Sequence, residues 1–258
     1  MRILPLLLLC CNLQSFGGEG QMSHIPLKHF GCLLALSTQY TEYLPEGEPV
    51  GDILFLRDSS ENHLPLFQAW GKRGFRVIAI DLPSHGKTSG ATLNWAESSG
   101  LSQYVAKFIE DPSIRPSSRR PLLLSGWSTG GLLALRMLRL NAFQKSAIKP
   151  SGLILLKINS WFAQLGDLPP DLPTMVVFGG DETDRDINTA MSRRWFERQI
   201  KHNHRPVWGI QFPHGFHERD NDPDPTGTLT RSLTANFAAT VVAGNTEIFG
   251  EARINEFR

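Results

Sequence analysis

Cysteine is scarce in this chain of 258 residues. It occurs at Cys10, Cys11 and Cys32, two of them inside the first apolar run. So few thiols exclude a disulfide scaffold and a cysteine-rich zinc site. Neither sign of charge is in excess: 26 Lys and Arg face 25 Asp and Glu, for a net charge of +1. That balance gives no basis for a nucleic-acid partner or an anionic membrane surface. No apolar run reaches the roughly 20 residues that a membrane-spanning helix needs, so stable membrane insertion is not expected. Internal repeats and low-complexity tracts are missing too. No Gly-x-Gly-x-x-Gly follows a strand and no phosphate-loop lysine motif occurs, so no nucleotide is expected. What remains is ample core material. Hydrophobic residues make up 41% of the chain, with 23 glycines besides, and the length suits one large domain or two small ones.

The N-terminus carries a positive residue, Arg2, then the apolar run Ile3–Cys11, then the small residues Ser15, Gly17 and Gly18. That order is the pattern of a secretory signal, and it predicts an exported protein cleaved after about residue 17. A buried N-terminal strand is the structural alternative. The fold is therefore read from residues 18–258.

Seven apolar runs have strand length: Gly31–Leu36, Ile53–Leu56, Val77–Ile80, Leu122–Leu124, Leu153–Leu156, Met175–Phe178 and Val207–Phe212. Several are continuous rather than alternating, as in strands buried on both faces. Helical spacing lies between them, at Leu64–Lys72, Leu101–Ile109, Gly130–Leu140, Ala190–Ile200 and Leu233–Val242. This alternation predicts an α/β fold, a mostly parallel sheet with helices on both faces. Sites in such sheets lie beyond the carboxyl ends of the strands.

One such end carries Gly126-Trp127-Ser128-Thr129-Gly130, between a predicted strand and a predicted helix. A Gly-x-Ser-x-Gly in that context is a nucleophile elbow. The serine occupies a strained turn, so the residues two places either side must be small. The helix that follows aims backbone N–H groups and a positive dipole end at the serine. The Thr129 N–H is then placed to receive negative charge developing on a carbonyl oxygen. The plain alternative is a glycine-rich turn in which Ser128 only caps the helix.

Upstream, Gly74–Ser89 contains Asp81-Leu82-Pro83-Ser84-His85-Gly86-Lys87-Thr88. This resembles a second marker of the α/β-hydrolase fold family, in which a strand ends in Asp-x-Pro-Gly-His-Gly-x-Ser. Ser84 and Thr88 are small polar replacements within it, and His85 belongs to that turn rather than to catalysis. The resemblance covers about Gly51 to Val242 and implies a single α/β-hydrolase domain over 18–258. In the family, the strand corresponding to Ile53–Leu56 ends in His-Gly, followed by a second oxyanion-hole N–H. Here Arg57-Asp58 replaces His-Gly, and Ser59 takes the donor position by alignment.

The family's triad runs Ser, then Asp or Glu, then His along the chain. The resemblance therefore puts the acid in the segment after Met175–Phe178. Asp184, followed by Ile187 and the cap-like Asn188, matches the family's spacing. Asp181 and Glu182 fit if distance from the strand end decides. The base follows Val207–Phe212, and His217, four residues past Pro213, matches the family's ending. His214 stays open as the alternative. A metal site is not expected, because His202 and His204 precede that strand while His214 and His217 follow it. Trp70 and Trp195 read as core. Trp127 packs under the elbow or touches substrate.

The resemblance implies a serine hydrolase with catalytic Ser128, Asp184 and His217 and oxyanion donors at Thr129 and Ser59, and it implies no cofactor. Its substrate would be a small carboxylic ester or related acyl compound. An acyltransferase, or a lactone or amide hydrolase, would use the same residues. A non-catalytic binding protein that keeps the fold is the alternative from another class. Only Lys157–Pro173 separates the strand Leu153–Leu156 from the next. Its second half is proline-rich, too little for a cap domain, which implies an open cleft.

Overall fold

Continuous apolar runs place strands in the interior of a sheet, because both of their faces must be covered. The computed structural model describes residues 21–26, 39–57, 63–81, 105, 109, 114, 120–139, 149–157, 167–170, 172–179, 189–202, 207–212, 225–246 and 253–256. Within them run β1 (Gln21–Pro26), β2 (Gln39–Leu44), β3 (Gly51–Arg57), α1 (Leu64–Gly71), β4 (Phe75–Asp81), β5 (Leu122–Trp127) and α2 (Thr129–Arg139). Then follow β6 (Pro150–Leu156), β7 (Thr174–Gly179), α3 (Thr189–His202), β8 (Val207–Phe212), α4 (Pro225–Val242) and β9 (Arg253–Glu256).

All nine strands form one sheet, in the order β1-β2-β4-β3-β5-β6-β7-β8-β9. From β4 to β9 every pairing is parallel, while β1/β2 and β2/β4 are antiparallel. Helices cover both faces, as predicted. On one face, Leu66, Phe67 and Trp70 of α1 pack with Phe237, Ala238 and Val241 of α4 over Ile53, Phe55, Leu123 and Trp127. Trp70 Nε1 donates to Thr234 Oγ1 at 3.1 Å, which ties α1 to α4. On the other face, Leu132–Leu135 of α2 and Trp195 and Phe196 of α3 cover Leu54, Leu56, Leu124 and Leu155. Trp70 and Trp195 are fully buried core, as their spacing implied.

Six predicted strands and four predicted helices coincide with observed elements. Val105 and Ile109 of the fifth predicted helix are helical and buried. The predicted strand Gly31–Leu36 and the signal segment 1–17 lie outside the described residues. Three strands were not anticipated: β1, β2 and β9. They lie toward the sheet margins, and Gln39–Leu44 (QYTEYL) and Arg253–Glu256 (RINE) carry no apolar run. The helix over Leu233–Val242 is therefore not the last element, and it starts earlier, at Pro225. Its first turns, PTGTLTRS, lack an apolar stripe, and proline is favoured at a helix start because its missing N–H costs nothing there.

A buried charge network sits at the amino ends of the parallel strands. Asp52 lies 3.4 Å from Arg120 and 4.0 Å from Arg76. Arg76 also pairs with Glu42 and donates to the Ile114 carbonyl at 2.6 Å. Buried charges are tolerated when paired in this way. This end of the sheet is opposite the elbow, so the network joins strands and is remote from the site. Between β6 and β7, residues 167–170 and 172–173 contain no helix, and no cap domain is present among the described residues. The return of this connection is clamped to α3: Gln199 accepts from the Leu168 N–H at 2.7 Å and donates to Asp167 at 3.0 Å.

Candidate active site

The strand β5 runs three residues further than its apolar part, through Ser125-Gly126-Trp127. Parallel pairing carries it: Ser125 lies opposite Phe55, Gly126 opposite Leu56, and Trp127 opposite Leu156. At Ser128 the backbone then turns to φ +48°, and α2 begins at Thr129. A serine in the left-handed region is strained by its Cβ, and such residues persist only where their surroundings hold them. The holding bonds are visible. Ser128 N donates to the Leu156 carbonyl at 2.9 Å, and the Ser128 carbonyl accepts from the Gly131 N–H at 3.0 Å.

The two glycines are there for want of space. A Cβ at Gly126 would fall on Gly131 N and the Gly130 carbonyl. A Cβ at Gly130 would fall on the Leu56 carbonyl oxygen. Helix α2 thus lies directly on the ends of β3 and β5. The serine is 5% exposed. Its neighbour Thr129 is the first residue of α2, where backbone N–H groups point out of the helix and the dipole is positive.

Topology brings the strand ends that precede the remaining candidates to this end of the sheet. β3 stops at Arg57, β7 at Gly179 and β8 at Phe212, all parallel to β5 and ending on the Ser128 side. Ser59, the acid candidates Asp181, Glu182 and Asp184, and the base candidates His214 and His217 follow those three ends. They lie outside the described residues. Among the described residues no three His, Cys, Asp or Glu side chains cluster as metal ligands, and no helix is long and apolar enough to cross a membrane.

Two residues near the elbow escaped the sequence reading. His63, just before α1, is buried, with its ring 4.9 Å from the Trp127 ring and 5.0 Å from Phe55. Lys157, just after β6, is 1% exposed and has φ +51°, and its Nζ lies 4.1 Å from the centroid of the Trp127 ring. The only local signal was a charged residue directly after an unbroken apolar strand. Trp127 itself is 1% exposed and touches both of these side chains.

A parallel sheet with a left-handed serine between its central strand and a helix has a counterpart among known families. The family model for alpha/beta hydrolases matches residues 55–245, from the middle of β3 to just beyond α4. The chain belongs to the alpha/beta hydrolase family. A search of curated proteins found no match. Among solved structures of this hydrolase fold, a thermostable carboxyl esterase from Bacillus coagulans is similar at 14% identity. The match covers 86% of this chain and 99% of that one, with a TM-score of 0.60. A thermophilic esterase from Thermogutta terrifontis, with butyrate bound, is 14% identical over 88% and 95% of the two chains, with a TM-score of 0.58. Est1E from Butyrivibrio proteoclasticus, with ferulic acid bound, is 15% identical over 81% and 97%, with a TM-score of 0.59. These likenesses are of fold. The hydrolase family membership supports hydrolytic chemistry in general and a small-molecule substrate.

Proposed function

We propose that this alpha/beta hydrolase is a serine hydrolase that cleaves a carboxylic ester through an acyl-enzyme. The observation that supports it most is Ser128 itself, held at φ +48° between β5 and α2 with glycines on both sides where no Cβ fits. A helix cap needs no such strain. In the reaction Ser128 Oγ attacks the ester carbonyl carbon and gives its proton to His217. The carbonyl oxygen becomes an oxyanion, received by the N–H groups of Thr129 and Ser59. His217 passes the proton to the departing alcohol as the C–O bond breaks. Water, deprotonated by His217, then releases the acid and restores Ser128. Asp184 orients His217. Esterase names among the solved relatives favour ester over amide substrates for this reading.

A fluorophosphonate probe tests it. Wild-type protein is expected to take up one label, and the modified peptide is expected to contain Ser128. An unlabelled wild type would favour the fold used as a binding module, the reading suggested by Arg57-Asp58 at the end of β3. Label on a different residue would sink the assignment of the nucleophile.

The short connection from Lys157 to Pro173 bears on substrate access. An open cleft has no lid to lift at a lipid surface, so interfacial activation is not expected. Ester hydrolysis should therefore rise smoothly as substrate crosses its solubility limit. A sharp jump in rate at that limit would reveal a mobile lid.

A further inference from the structure

Lys157 is not used by the chemistry above, yet its environment is unusual. A lysine is rarely this deeply buried, because its ammonium must be desolvated. A lysine at a left-handed φ carries backbone strain as well. Both costs fall at the residue next to the one that anchors the nucleophile. Side chains alternate along β6, with Leu155 facing α2 and Leu156 facing α1 and α4. Continued alternation would send Lys157 toward α2. The left-handed turn breaks the alternation, and the ammonium lies over Trp127, whose ring belongs to the α1/α4 face.

The contacts close a ring around the elbow. Trp127 is bonded to Ser128, and the Ser128 N–H donates to Leu156 at 2.9 Å. Leu156 is bonded to Lys157, and Lys157 Nζ returns to the Trp127 ring at 4.1 Å. The Lys157 N–H donates to the Val177 carbonyl at 2.9 Å, which fastens this ring to β7. His63 covers Trp127 as well, with ring centroids 4.9 Å apart. Cation–π attraction is strongest over tryptophan and where water is excluded, and both conditions hold.

We propose that Lys157 is a positioning residue for the nucleophile: its ammonium, held over Trp127 from a left-handed backbone position, latches the ends of β5 and β6 together and fixes the strained turn at Ser128. The inference rests on the serine-hydrolase reading. It also separates activity from stability. Labelling rate and kcat report on the elbow, whereas thermal unfolding reports on the fold as a whole. A loosened elbow costs rate, since misplacing a reacting group by about 1 Å can cost on the order of 100-fold.

The experiment compares wild type with Lys157→Met, Lys157→Arg and Lys157→Gly. It reads the fluorophosphonate labelling rate, kcat and KM on a short-chain ester, and thermal unfolding. Lys157→Met is expected to label and turn over roughly 10- to 100-fold more slowly. Its KM should be little changed, and the loss of rate should persist well below its unfolding temperature. Lys157→Arg, which keeps a cation over the ring, is expected to recover most of the rate. Glycine adopts φ +51° without strain but has no ammonium, so Lys157→Gly should stay slow. Wild-type rates in Lys157→Met or Lys157→Gly would overturn the proposal, as would an arginine variant as slow as methionine. A wild type that does not label at all would sink the hydrolase reading itself, and this inference with it.

Discussion

Alanine in place of Ser128 is expected to lower kcat by about 10⁴- to 10⁶-fold while leaving KM and folding nearly unchanged. The size follows from the proposed role. Without the hydroxyl there is no acyl-enzyme, and His217 has no serine proton to accept. What survives is binding plus the oxyanion donors, which together give only a small part of the rate. Folding should be spared because the strain at φ +48° comes from the Cβ, which alanine keeps. The bonds that hold the turn are main-chain: Ser128 N to Leu156, and Ser128 carbonyl to Gly131. Steady-state hydrolysis of a short-chain ester, with circular dichroism melting as the folding control, checks it. More than a few per cent of wild-type kcat in the variant would show that another residue is the nucleophile.

Alanine at Gly130 is expected to act oppositely, through the fold. In an ordinary helix, glycine to alanine gains about 1 kcal/mol. Here the new Cβ meets the carbonyl oxygen and carbon of Leu56, both main-chain atoms in a central strand. No rotamer change relieves that contact, so α2 must move away from β3. Overpacking a core with adjustable side chains already costs about 1–3 kcal/mol. A backbone collision in the first turn of α2 should reach or exceed the top of that range. Against a total stability of roughly 5–15 kcal/mol, this is a large share. The expected result is a marked fall in the urea midpoint and in soluble yield. Activity should fall too, since Leu56 directly precedes Arg57 and the segment that carries Ser59. An unchanged midpoint would mean that α2 lifts off β3 without loss.

Much of this was legible in the residues. Val77–Ile80, Leu153–Leu156 and Met175–Phe178 are short continuous apolar runs, and each became an interior strand. Gly126 and Gly130 around Ser128 announced a turn that admits no side chains, and both sites prove closed to a Cβ. The residues that escaped have little local signature. β1 and β2 pair antiparallel at one margin of the sheet, and β2 covers both faces with Tyr40 and Tyr43 rather than with an apolar run. His63 and Lys157 look, in sequence, like surface residues between elements. Asp184, His217 and Ser59 rest on chain order and family resemblance, and the described residues end short of each of them.

The sequence by itself determined the alternation of strand and helix and the strand–serine–helix junction. Both are short-range matters of apolar period and of where glycine is required. Tertiary structure alone decided the strand order and what it brings together. Because β3 lies between β4 and β5, its Leu56 carbonyl becomes the surface on which Gly130 rests. Because β6 lies beside β5, Leu156 anchors Ser128, and Lys157 reaches Trp127. Strand order is chosen by packing between residues far apart in the chain. A left-handed φ at a serine or a lysine is unfavourable locally and exists only because that packing holds it.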